Sequence, residues 1–167
     1  MALDRFKTAQ AATSGGFDVA LAELRSGRKT GHWIWYIFPQ VGGLGHSAMS
    51  QYYALRDARE ACDYLRDPLL RKRLLLATEA VAAQLARGTQ LVGLMDGSVD
   101  SLKLVSSLTL FELAARQVQR SAPDPTLDDF LAQCAAILGV AEAQGFSRCA
   151  HTLGAWRGSS DRGGATH

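Results

Sequence analysis

Apolar residues recur every three or four positions along most of this chain, and that spacing constrains its fold more than any other feature. In residues 69–88 the stripe runs Leu70, Leu74, Ala77, Val81 and Leu85 before Gly88. Such a repeat puts one apolar face on a helix, and a glycine is a natural stop. Phe17, Leu21 and Leu24 repeat the pattern between Ser14 and Gly27, and Leu55, Ala58, Cys62 and Leu65 repeat it in a segment that Ser47 can cap. Pro68 marks a break near the end of that segment or the first turn of the next helix. A fourth helix is expected from Ser98, with Asp100 in its first turn, and a fifth in "TLDDFLAQCAAILGVAEA" after Pro123 and Pro125. No alternating strand series and no internal repeat is present. The expectation is a mainly α protein: a single compact helical domain of about five helices, residues 1–156, around one aromatic-rich segment. The Gly/Ser-rich residues 157–167 are expected to be a disordered tail.

At 167 residues, with 47% hydrophobic and 20% charged positions, the chain can bury a core without metal or disulfide support. The formal net charge of +2 does not suggest a polyanion binder. The basic run Arg71 to Arg73 reads as a solvated helix face, so nucleic acid is not expected as a partner. Cys62, Cys134 and Cys149 form no ligand spacing, and they read as small buried hydrophobes in a reducing compartment. With no apolar signal core and no bilayer-length run, the expectation is a cytoplasmic protein with no membrane partner. No metal or cofactor motif is found, nor a GxSxG elbow, an HExxH pair or a Walker loop. Asp96, Asp100 and Glu112 are too scattered to form a carboxylate pair. Nothing in the sequence sets an oligomeric state.

The distinctive stretch is "GHWIWYIFPQVGGLGHS", Gly31 to Ser47. Its bulky side chains suit a short extended segment or a buried turn, and the bland reading of its tryptophans is core. The functional reading starts from Gly42, Gly43 and Gly45, which let backbone amides approach a ligand, and from a helix start at Ser47, which suits an anion. Trp33 and Trp35 offer faces for a flat ring, and Gln40 a polar contact. His32 is the candidate proton carrier, because an imidazole ordinarily changes charge near neutrality. Further along, Lys103, Ser106, Ser107 and Leu110 share one helix face, so one cation and two hydroxyls line an otherwise apolar stripe. The plain alternative is a lysine reaching to solvent over two packing serines.

The runs "HWIWYIFPQVGGLGHSAMSQYYAL", "EACDYLRDPLLRKRL" and "DSLKLVSSLTLF", in that order, resemble the bacterial family of unknown function DUF1810, over about Phe6 to Phe111. The resemblance implies a mainly helical fold and, since the family has no established activity, no chemistry. Taken with the residues, two functions compete. One is a protein that binds or processes a nucleotide-like or ADP-ribose-like anion, with His32 catalytic and Trp33, Trp35, Gln40, Gly43, Gly45, Ser47, Lys103, Ser106 and Ser107 in the site. The other is a non-catalytic helical interaction module.

Overall fold

A computed structural model describes residues 3–163. Among them are ten helices and no β-strand beyond one isolated bridge. The chain is mainly helical, as its periodicity requires, but with ten helices rather than about five. The five long stripes are there: α2 (Phe17–Ser26), α5 (Ala58–Arg66), α6 (Pro68–Ala86), α8 (Ser98–Ser121) and α9 (Pro125–Ala143). The additional elements are α1 (Asp4–Gln10), α3 (Ile34–Ile37), α4 (Ala48–Tyr52), α7 (Leu91–Leu94) and α10 (Ala150–Gly163). Three of these are a turn or little more, too short for a period to show in a sequence.

The caps follow the residues. Asp67 accepts from the N–H groups of Leu69 and Leu70, so Pro68 opens α6 rather than interrupting it. Asp124 accepts from Thr126 N–H and does the same for Pro125 and α9. Gly27 ends α2 in the left-handed conformation, at φ 93°. α8 starts at Gly97 with no side-chain cap, so Ser98 is its first helical residue.

One expected helix becomes two. Ser47 caps it as anticipated, accepting from Ser50 N–H at 3.1 Å. The helix then stops, because Leu55 pairs with the glycine segment: Leu55 N–H donates to Gln40 O at 2.8 Å and Gly42 N–H to Leu55 O at 2.9 Å. Asp57 restarts it by accepting from Glu60 N–H at 2.9 Å. Arg5 of α1 braces this break. It donates to the carbonyls of Tyr52 and Ala54 and pairs with buried Glu60 at 3.0 Å.

α8 is the central element. It packs on α5, α9 and α10, and every residue from Leu104 to Glu112 is buried. α6 packs on α2 and α9 and closes the other side. Leu21, Leu24, Trp33, Leu65, Leu74, Leu108 and Phe111 are buried in one core, and Trp35 is packed against them while partly exposed. Of the two forms expected for the "HWIWYIF" run, the structure has the buried turn: Ile34–Ile37 make one helical turn, and Trp33 and Phe38 on either side of it are fully buried. α10 carries the helix through Gly163, into the segment for which disorder is expected, while residues 164–167 lie outside the described residues.

Candidate functional site

The turn before α3 is fixed by one carboxylate. Glu23 Oε1 accepts from Thr30 N–H at 2.6 Å, Gly31 N–H at 2.7 Å and the Trp33 indole N–H at 3.1 Å. Burial raises its pKa, but the Gly31, Thr30 and Trp33 donors outweigh that and hold it below the ordinary value. The next anchor is Lys29, whose ammonium lies 5.0 Å over the Trp33 ring and donates to Gly31 O. Lys29 is 3% exposed and is neutralised by Asp100 of α8 at 2.7 Å. The other oxygen of Asp100 stands 3.9 Å from Lys103. One carboxylate therefore serves two ammonium groups, the nearer one in the core.

Lys103 is half-buried, and its ammonium lies 5.1 Å from the centre of the Trp35 ring. A cation over an indole face is attracted by the ring quadrupole. The structure thus brings Trp35 and Lys103 together. Ser106 and Ser107 follow within about a turn of α8, some 5–6 Å along the axis. Both are buried. Trp35 Nε1 and Ser107 Oγ are buried and have no hydrogen-bond partner among the described residues. Buried polar groups are nearly always satisfied, so a face carrying two that are not has unused capacity for donors and acceptors.

Other sequence candidates lie elsewhere. Trp33 is fully buried behind Glu23 and belongs to the core. His32 is exposed, and no hydrogen bond or ion pair orients its ring among the described residues. Gln40, Gly43 and Gly45 line a cavity of about 200 Å³ together with Ser50 and Gln51. Ser47 is exposed, and its hydroxyl is spent within its own turn on Ser50, through the main-chain N–H and the hydroxyl at 2.9 Å. The helix behind it, α4, has only five residues, too short for a strong dipole.

The glycine loop does admit a close approach, but the approaching group is the chain's own α10. His151 Nε2 lies 2.9 Å from Gly42 O. Gly43 is at φ +94°, and a Cβ there would sit 2.9 Å from the His151 ring. Two residues before His151, Cys149 N–H donates to the Thr109 hydroxyl of α8 at 3.3 Å. α10 therefore ties the glycine loop to α8.

Sequence reasoning missed Glu23, the shared role of Asp100, and all of α10's contribution. Glu23 left no signal, since a helix-surface glutamate is ordinary. Cys149 stands at the N-cap position of α10, a place that a search for Ser, Thr, Asp or Asn passes over.

A family model described as "Protein of unknown function (DUF1810)" matches residues 1–134. The chain belongs to this family. The match extends past Phe111, through α8 and into α9, while Cys149 and His151 of this DUF1810 protein lie outside it. The crystal structure of the conserved hypothetical protein Rv1873 from Mycobacterium tuberculosis is similar, with 34% identity and a TM-score of 0.74, covering 93% of this chain and 96% of that one. No curated protein matches. No helix among the described residues is long and apolar enough to cross a membrane.

Proposed function

We propose that this chain binds a small, flat, anionic molecule of the nucleotide or ADP-ribose class on the face formed by Trp35 and α8. The observation that carries the proposal is the Lys103–Trp35 stack beside two buried polar groups without partners. In this reading the ring of the ligand lies against the Trp35 edge. Lys103, only loosely held by Asp100, meets the charge. His32 is the proposed proton carrier should a glycosidic or phosphate bond of the ligand be cleaved.

The test is a titration of adenosine, AMP, ADP and ADP-ribose, read by thermal shift and calorimetry. A ligand that binds only the folded state raises the melting temperature. Binding should require the phosphate and weaken by about 1–3 kcal/mol in Lys103→Ala, the usual loss of a charged hydrogen bond. His32→Ala should leave binding intact. No shift with any of the four at millimolar concentration, or equal binding by Lys103→Ala and Trp35→Ala, would remove the proposal.

A second reading, a protein-interaction module, is favoured by one feature. Val99 and Leu102 stand one turn apart on α8, 64% and 52% exposed, with Val92 of α7 at 42%. Apolar groups so placed suit a protein surface as their cover. A chain that binds none of the four compounds but loses a partner in Leu102→Ser would decide for this reading.

A further inference from the structure

We propose that the outer face of α6 is a docking groove for a helix of a partner protein, one that is amphipathic and acidic at both ends. The basic run Arg71 to Arg73 points there, because the fold divides it. Arg71 pairs with Asp124, the cap of α9, at 2.7 Å. Arg73 turns the other way, donating to Gln10 Oε1 at 3.2 Å with its guanidinium over the Phe17 ring. Lys72 is left exposed, and no carboxylate pairs with it among the described residues.

Two cavities lie on this face. The first, of about 430 Å³, is lined by α6 and the start of α9, with Pro68, Leu75 and Leu76 as apolar walls and Lys72 on its rim. The second, of about 200 Å³, is lined by α6 and by Arg25 of α2, and Arg87 closes its far end. Leu76 and Glu79 belong to both, so the two join into one trough along the helix. From Lys72 to Arg87 it runs about 22 Å, roughly four helical turns at 1.5 Å per residue.

Charge selects the occupant. Arg25, Lys72 and Arg87 are exposed and have no ion-pair partner among the described residues. Arg66, at the Pro68 end, is met only by Asp63, at 3.4 Å on the surface. Glu79, midway, is likewise exposed and unpaired among the described residues. Along the trough the free charges therefore run positive, negative, positive, with steps of about 10 and 12 Å. A helix laid on it matches this with carboxylates in its first and last turns, one lysine or arginine midway, and leucine-like anchors against Leu75 and Leu76. That is the helix-in-groove mode of recognition, with the rim charges setting partner and register. Other occupants meet an obstacle here. In a two-fold pairing of this trough with a second copy, Lys72 faces Arg87 and Glu79 faces Glu79, so like charge opposes like. A nucleic acid sets phosphates against Glu79 and finds no aromatic ring in either cavity to stack on. The inference does not rest on the nucleotide-like ligand, and none of these residues belongs to the Trp35–Lys103 face.

The experiment uses the full chain and a fluorescein-labelled synthetic peptide of about five helical turns. The peptide carries leucines at three- and four-residue spacing, glutamates in its first and last turns and one lysine midway. Anisotropy is read at low salt, since rim charges are screened within about 10 Å at 0.1 M. The result expected is saturable binding in the micromolar range, weakened several-fold by Lys72→Glu and by Arg87→Glu, and unchanged by Lys103→Ala. All the substituted groups on α6 are exposed, so melting temperatures should stay level. Glu79→Lys should reverse the preference at the centre, binding a peptide with a midway glutamate better than the original. Binding that fails to saturate up to about 1 mM, equal binding of a peptide with all charges exchanged or with its order scrambled, or a Glu79→Lys protein with unchanged preference would overturn the proposal. So would tighter binding of a single-stranded RNA, or a dimer of the chain that Lys72→Glu dissolves, each of which would give this face to another occupant.

Discussion

Removing the Glu23 carboxylate should loosen the turn before α3 and lower the stability of the whole fold. Three donors converge on its Oε1. A hydrogen bond to a charged group contributes about 1.5–3 kcal/mol, but the three are not equal. Thr30 is exposed, so water replaces the carboxylate at its N–H. Trp33 is fully buried, and its indole N–H would be stranded, at about 1–3 kcal/mol. Gly31 falls between the two. The expected loss for Glu23→Ala is therefore about 2–4 kcal/mol. For a domain of this size each kcal/mol moves the midpoint by about 2–4 °C, which gives a fall of roughly 5–15 °C. Glu23→Gln keeps an oxygen in place and should lose less than half as much. The pH dependence has a definite sign. The folded pKa is depressed below 4.5, so the stabilisation is complete above that value and is lost as pH falls through the folded pKa. The gap between wild type and Glu23→Ala should thus be constant near neutrality and narrow below about pH 4.5. Urea unfolding at several pH values measures it. A loss under about 1 kcal/mol, or a Gln variant as damaged as the Ala one, would refute the account of Glu23 as the anchor of this turn.

Gly43→Ala should destabilise by about 1–3 kcal/mol through its positive φ and its clash with His151, and adding His151→Ala should recover part of the loss in a double-mutant cycle. Lys29→Met removes the buried partner of a pair whose carboxylate is 22% exposed and should cost clearly more in chemical denaturation than Lys103→Met, which should cost under about 1 kcal/mol. Asp67 both caps α6 and pairs with Lys7; burial raises its pKa, but Lys7 and the Leu70 and Leu69 N–H groups hold it below the ordinary 3.8. Its contribution is full above that value and lost as pH falls through the folded pKa, so Asp67→Ala should narrow its stability gap to wild type only in acid, as thermal melts at pH 3 and pH 7 would show.

The long helices were legible because each carries an apolar stripe of several turns that only a helix can bury. Pro68, Gly27 and Ser47 marked boundaries correctly, since each acts through its own backbone or side chain. The break at Tyr53 was not legible: it depends on Leu55 meeting Gln40 and Gly42, a contact that no local pattern encodes. At the site, the spacing of Lys103 and Ser106 placed both on one face of α8, and Trp35 does stand beside Lys103. The tryptophans could not be told apart by sequence. Their separation depends on Glu23, ten residues before Trp33, and that partner is tertiary. The glycine loop, read as a place where backbone amides meet a ligand, has the His151 ring from 109 positions away against the Gly42 carbonyl, a partner that no local pattern signals.

The division of Asp100 between two lysines has a consequence for ionic strength. Lys29, 4% exposed, holds the carboxylate at 2.7 Å, while Lys103 stands at 3.9 Å and is as exposed as the Asp100 it faces, at 22% each. The two ammonium groups and one carboxylate leave one positive charge in excess, carried by the outer partner. A dissolved anion can take up that charge without exposing the inner pair, so occupancy there exchanges with the surrounding electrolyte rather than with the fold. Anion affinity at Lys103 should fall steadily as salt rises toward 0.15 M, where the screening length is about 8 Å, while the melting temperature stays nearly level.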